Sequence, residues 1–139
     1  LERFDQMDWA IMSAAVADYK PTVEAAQKIK KKEDTMELQL VKTDDILKKL
    51  GSVKRHDQCL VGFALETNNE KEFALNKLNS KNADIIVLNS LNDAGAGFGY
   101  DSNKITIFDR KGNEHHFETK LKSAVAADIV NTIISYCHE

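Results

Sequence analysis

Apolar residues fall along the chain in blocks with different rhythms. Asp8 to Ala15 (DWAIMSAA), Cys59 to Ala64 (CLVGFA) and Asp84 to Leu88 (DIIVL) are nearly continuous apolar runs. Runs of that length, bounded by polar residues, predict strands covered on both faces. Glu37 to Lys42 (ELQLVK) alternates polar and apolar residues, which predicts a half-exposed strand. Lys104 to Phe108 and Glu114 to Phe117 flank a turn sequence, Arg110-Lys111-Gly112-Asn113, and so predict a hairpin.

The remaining apolar residues follow helical spacing. Thr43 is a good N-cap, Asp44 and Asp45 suit a first turn, and Gly51 is a natural stop. Ile46, Leu47 and Leu50 would form the buried face of that short helix. A second helix is expected from Glu70 to about Lys81, with Phe73, Ala74 and Leu78 on one stripe. A third runs from Lys120 to about Tyr136, with Val125, Ile129, Ile133 and Ile134 inward. Val16 to Lys32 reads as irregular, Ser52 to Gln58 as a polar loop and Asn89 to Asn103 as a glycine-rich loop.

Buried strands alternating with helices predict an α/β fold with a mostly parallel sheet. In such sheets ligands bind beyond the carboxyl ends of the strands. Three segments should reach that edge: Ala14 to Asp18, Phe63 to Asn69 and Asn89 to Gly99. No internal repeat or low-complexity tract interrupts the pattern.

Composition narrows the reading. At 139 residues, with 42% hydrophobic and 29% charged residues, the chain suits one soluble domain with a real core. No run is long and apolar enough to span a bilayer, and the start, Leu1-Glu2-Arg3-Phe4-Asp5, does not resemble a signal peptide. These features point to a cytoplasmic protein without membrane partners. Leu1 is not a start methionine, so a piece of a longer protein is expected. The net charge of −3 disfavours nucleic acid as a partner. Cys59 and Cys137 form no disulfide framework, and Cys59 reads as a small buried hydrophobe.

The candidate chemistry is concentrated in Ser13 to Lys32. Small residues end the first strand, Asp18 follows, and Lys28, Lys30, Lys31 and Lys32 arrive after Pro21, the only proline. Asp18 suits either a hydroxyl-binding carboxylate or a loop acid that caps a backbone group. The lysine cluster suits either a mobile strap over polyphosphate or a solvated charge run. Lys77 and Lys81 stand four apart on the second helix and would share a face, with an anion between them or with water. Gly95-Ala96-Gly97-Phe98-Gly99 matches neither a dinucleotide fingerprint nor a P-loop and reads as a flexible loop. His115 and His116 alternate across a strand, and no zinc spacing occurs.

Six blocks in order carry a family resemblance: AAVADYKP at Ala14–Pro21, KIKK at Lys28–Lys31, LVKTDDIL at Leu40–Leu47, VGFALET at Val61–Thr67, KLNSKNAD at Lys77–Asp84 and GAGFGYDSNKITI at Gly95–Ile107. Together they resemble phosphopantothenate–cysteine ligase, a coenzyme A biosynthesis enzyme. The resemblance spans essentially the whole chain. It implies a three-layer, Rossmann-like α/β fold with a mostly parallel sheet, a hairpin and a dimerisation flap. One truncated CTP-binding domain would occupy residues 1–139, with the domain's N-terminal portion absent. In bacteria the ligase usually forms the C-terminal half of a bifunctional protein, and FMN would belong only to the decarboxylase half, which is absent here.

The resemblance further implies a homodimer and a reaction of 4′-phosphopantothenate, L-cysteine and CTP, assisted by Mg2+. Asp18 would bind nucleotide hydroxyls, and Met12, Ser13 and Ala14 would lie along the base or sugar. Phe63 and the turn Asp44, Asp45, Ile46 and Leu47 would line the nucleoside pocket. Lys77 and Lys81 would hold the triphosphate. Lys28 would be catalytic, near the α-phosphate, and Lys30 and Lys31 would belong to the flap. No metal ligand is assigned. The family usually has Asn-Pro-Asp-Ile where this chain has Thr43-Asp44-Asp45-Ile46.

Overall fold

A computed structural model describes residues 2–30, 34–90 and 101–138. A 3-10 turn at Phe4–Gln6 is followed by β1 (Trp9–Met12), β2 (Tyr19–Pro21), β3 (Leu40–Lys42) and α1 (Ile46–Val53). Next come β4 (Cys59–Glu66), α2 (Glu70–Ser80), β5 (Ile85–Ser90), β6 (Ser102–Asn103) and β7 (Ile105–Asp109). The described elements end with β8 (Glu114–His116), β9 (Lys120–Leu121) and α3 (Lys122–His138).

The apolar runs become β1, β4 and β5 of a five-stranded mixed sheet ordered β1-β4-β5-β7-β8, in which β1 is an edge strand and is exposed along one side rather than covered on both faces. β1, β4 and β5 are parallel, while β7 and β8 run antiparallel as the expected hairpin. β4 and β5 are buried on both faces, which explains their unbroken hydrophobicity. Residues alternate between two cores. Cys59, Val61, Ile85, Val87, Ile105 and Ile107 pack on Val125, Ile129 and Ile133 of α3. Ala64, Ile86, Leu88 and Phe108 pack on Ala74 and Leu78 of α2. Leu60 meets Leu50 of α1 and Phe4 beside them. The result is helix, sheet and helix in three layers.

The sheet's amino-terminal edge is fastened by a buried carboxylate. Asp84 accepts the Leu60 N–H at 2.8 Å and pairs with the Lys54 ammonium. At the hairpin, Asp109 is buried and accepts from the backbone and side-chain N–H groups of Asn113 at 2.9 and 3.0 Å. Burial opposes its charge, but Asn113 and His115 prevail and hold its carboxyl below the usual carboxylate range.

Several local expectations are corrected. β1 stops at Met12, short of Ala15, because the small residues beyond it take no partner strand. Within the stretch read as irregular, Tyr19–Pro21 pairs antiparallel with Leu40–Lys42, and only those last three residues of the alternating segment are strand. Asp45, not Thr43, caps α1, accepting the Lys48 N–H at 2.9 Å. Gly51 does not stop α1, which continues to Val53. A Cβ at Gly51 would lie 1.8 Å from the Lys81 carbonyl oxygen, so glycine is there for close helix packing. Ile46, Phe73 and Ile134 are exposed rather than inward, at 39%, 49% and 40%. Each lies at the margin of its helix's apolar stripe. The β6–β9 pair, which leads directly into α3, had no signal in the hydrophobic pattern. The glycine-rich run Gly95 to Gly99 lies outside the described residues.

Candidate functional site

Small side chains follow the end of β1 at Met12 and β4 reaches beyond it, so the carboxyl edge of the sheet is stepped. There the chain leaves a cavity of about 330 Å3. Met12, Ala14, Val16 and Asp18 form the wall that follows β1. Thr43 to Leu47 form the approach to α1 and its first turn, Phe63 supplies β4's contribution, and Lys77 and Lys81 come from the end of α2.

Thr43 ties two of these walls together. Its hydroxyl donates to the Ala17 carbonyl at 2.5 Å, and its N–H donates to the Asp18 carbonyl at 2.9 Å. The segment after β1 is thereby fixed beside the start of α1. With its backbone carbonyl engaged, Asp18 keeps an exposed carboxylate that has no side-chain partner among the described residues. Such a carboxylate suits the hydroxyls of a polar ligand.

Across the cavity, Lys77 and Lys81 are anchored separately. The Lys77 ammonium donates to the Phe63 carbonyl at 2.7 Å. The Lys81 ammonium pairs with Asp45 at 2.6 Å. Each ammonium has three donors, so these contacts position the lysines and leave donors for a ligand. Burial opposes the Asp45 charge, yet Lys81 and the Lys48 N–H hold its carboxyl below the usual carboxylate range. Asp44 is held low first by its hydrogen bond from Lys49, at 2.5 Å. The lining therefore combines a carboxylate without a side-chain partner among the described residues, two positioned ammoniums and the apolar side chains of Met12, Leu47 and Phe63.

Ten of the twelve expected nucleotide-site residues meet at this cavity: Met12, Ala14, Asp18, Asp44, Asp45, Ile46, Leu47, Phe63, Lys77 and Lys81. Ser13 and Lys28 do not line it. Ser13 is one residue out of phase with Met12 and Ala14 at the strand end. Lys28 and Lys30 are exposed in the segment between β2 and β3, and Lys31 lies outside the described residues. Val16 and Thr43 were missed. Thr43 had a usable signal: a hydroxyl at the junction of an alternating strand and a helix start, read there only as a cap. Among the described residues, no group of three or more His, Cys, Asp and Glu side chains could hold a metal ion. No described helix is long and apolar enough to cross a membrane.

The chain is similar in sequence and fold to known proteins. The DNA/pantothenate metabolism flavoprotein C-terminal domain family matches residues 1–136. A protein named cysteine/cysteine sulfinic acid decarboxylase, from an unknown prokaryotic organism, is 49% identical over 138 residues, covering 99% of this chain and 38% of that protein. The coenzyme A biosynthesis bifunctional protein CoaBC of Bacillus subtilis strain 168 is 42% identical over 133 residues, covering 96% of this chain and 32% of the relative. The chain thus spans about a third of the length of these curated relatives. The crystal structure of a CoaBC C-terminal domain superposes with a TM-score of 0.74 at 33% identity, covering 95% of this chain and 56% of that one. A Cab2 variant in complex with phosphopantothenate-cysteine shares the fold, with a TM-score of 0.59 at 16% identity, covering 89% of this chain and 43% of that one.

Proposed function

The chain belongs to the DNA/pantothenate metabolism flavoprotein C-terminal domain family, and from that premise we propose that it is the nucleotide-binding part of a CTP-dependent phosphopantothenate–cysteine ligase. Its relation to the C-terminal part of CoaBC supports a role in coenzyme A biosynthesis. The observation that carries the finer reading is the cavity lined by Asp18 after β1 and by Lys77 and Lys81 from the end of α2. A ribose and a polyphosphate need a hydroxyl acceptor and cationic donors separated in that way.

In the reaction, the carboxylate of 4′-phosphopantothenate attacks the α-phosphorus of CTP and expels pyrophosphate. The cysteine amine then attacks the acyl-cytidylate, giving 4′-phosphopantothenoylcysteine and CMP. Asp18 accepts from the ribose hydroxyls, while Met12, Ser13 and Ala14 run along the base or sugar. Phe63 and the Asp44–Leu47 turn complete the nucleoside pocket. Lys77 and Lys81 hold the triphosphate, which supplies acceptors for their remaining donors. Lys28 and the flap lysines Lys30 and Lys31 close over the α-phosphate and the acyl intermediate. Such chemistry depends on charge stabilisation and positioning more than on a covalent nucleophile. Magnesium enters as Mg-CTP, because that ion is commonly held by one or two carboxylates plus substrate phosphates.

A second reading is a nucleotide-binding and dimerisation module without turnover of its own; the observation in its favour is that Lys28, the residue assigned to catalysis, does not line the cavity. Isothermal titration in magnesium should show CTP binding clearly more tightly than ATP. Equal or tighter ATP binding overturns the CTP reading. Pyrophosphate release that depends on 4′-phosphopantothenate then separates ligation from binding alone.

A further inference from the structure

The inner stripe of α3 consists of Val125, Ile129 and Ile133, spaced by four and buried against the sheet. Cys137 is the next residue in that spacing, on the last turn of the helix. Ile133 is fully buried in the same cluster as Cys59, the first residue of β4. Helical spacing brings Cys137 to the end of the cluster that holds Cys59, and burial first, then the neighbouring Cys137 thiol, push the Cys59 thiol up. Neither is in a disulfide, and they differ in access, since Cys59 is buried and Cys137 exposed. The turn that carries Cys137 is fixed by its neighbour. Lys111 donates to the Tyr136 carbonyl at 3.0 Å and lies over the Tyr136 ring at 4.7 Å.

We propose that Cys59 and Cys137 form a reversible disulfide that staples the last turn of α3 to the start of β4, with a small-molecule disulfide as the oxidant. The exposed Cys137 thiolate attacks one sulfur of the small disulfide. Its S–S bond breaks, one thiol leaves, and Cys137 carries a mixed disulfide. The Cys59 thiolate then attacks the Cys137 sulfur and expels the second thiol. The protein loses two thiol hydrogens and is oxidised by two electrons, while the small disulfide is reduced to two thiols. Burial pushes the Cys59 thiol well up, so the second step is the slower one. The bond closes a loop of 78 residues from β4 to the end of α3. Long closed loops restrict the unfolded chain most, so the staple raises the thermal midpoint. It lies at the start of β4, four residues before Phe63, and neither cysteine lines the candidate nucleotide site.

The test is to incubate the 139-residue chain with oxidised glutathione, quench it in acid and map tryptic peptides without reduction. Residues 56–71 and 123–139 should appear as one linked species lacking two hydrogens, after a transient glutathione adduct on Cys137. The thermal midpoint should rise by roughly 10 °C and fall back with dithiothreitol. Cys59→Ala should stop at the glutathione adduct, and Cys137→Ser should resist oxidation, neither gaining stability. A wild-type chain that stops at the adduct, links into dimers through Cys137, or forms the internal bond without gaining stability would overturn the proposal.

Discussion

Lys77 and Lys28 carry the same charge and should nevertheless fail in different ways. Lys77 is anchored on the Phe63 carbonyl at the cavity wall, so its ammonium is in place before any ligand arrives. On the proposed reading it meets phosphates that are already charged in bound CTP. Lys28 stands exposed in the segment between β2 and β3, away from the lining; on the same reading it reaches the α-phosphate only when that segment closes. Its contact is then strongest with charge that develops during acyl-cytidylate formation, and that contact acts on turnover. Lys77→Ala should weaken CTP binding roughly ten- to a hundredfold, the range expected for a lost charged hydrogen bond. Lys28→Ala should leave CTP affinity nearly unchanged and slow activation by ~100- to 1,000-fold. Isothermal titration and single-turnover pyrophosphate release, in a protein carrying the complete ligase domain, separate the two effects. Loss of CTP affinity in Lys28→Ala with activation intact would reverse the assignment.

The short helix α1 joins the core to the cavity. Its N-cap Asp45 holds Lys81, and its interior Gly51 lies against the Lys81 carbonyl. Asn82, in the left-handed region at φ 50°, donates its side-chain N–H to the Gly51 carbonyl at 2.7 Å. One close helix contact thus locates a cavity lysine. Gly51→Ala would place a methyl carbon 1.8 Å from backbone oxygen, so α1 or the end of α2 must move. We expect a loss of about 1–3 kcal/mol in urea denaturation, the usual cost of overpacking, with weaker CTP binding because Lys81 shifts with its backbone. Unchanged stability would mean that the two helices are not in firm contact. Sequence patterning located the buried strands because β4 and β5 are apolar on both faces. It misread Gly51 because a glycine at a helix stop and one at a helix crossing look alike along the chain. It missed β2 because Tyr19–Pro21 is exposed throughout and has no buried face to impose a rhythm.

At the scale of the whole molecule, the cavity was legible through topology. Residues from Met12 to Lys81 meet because parallel strands bring successive carboxyl ends to one edge. Strand order alone brought Asp18 and Phe63 to that edge, Asp44 and Lys77 entered through the family resemblance, and assigning Thr43 needed the path of the chain after β1, which no periodicity records. The same path creates an exposed apolar surface. β2 and β3 form a two-stranded ribbon outside the main sheet, exposed along both strands. Tyr19, Leu38 and Leu40 are 52%, 55% and 53% exposed on and beside it. In the observed register Pro21 pairs with Leu40 and Tyr19 with Lys42, which puts Tyr19, Pro21 and Leu40 on one face. An isolated two-stranded ribbon is marginal in water, and a free strand edge readily takes another strand. A two-fold partner that lays its own ribbon on this face would cover the apolar side chains of both copies at once. We therefore expect sedimentation at tens of micromolar to give twice the 15.6 kDa chain mass. Leu40→Lys should shift that population to monomer without changing the thermal midpoint at concentrations where wild type is itself dissociated, because Leu40 lies outside the core. A wild-type monomer at high concentration, or a Leu40→Lys dimer as tight as wild type, would remove the ribbon from the interface.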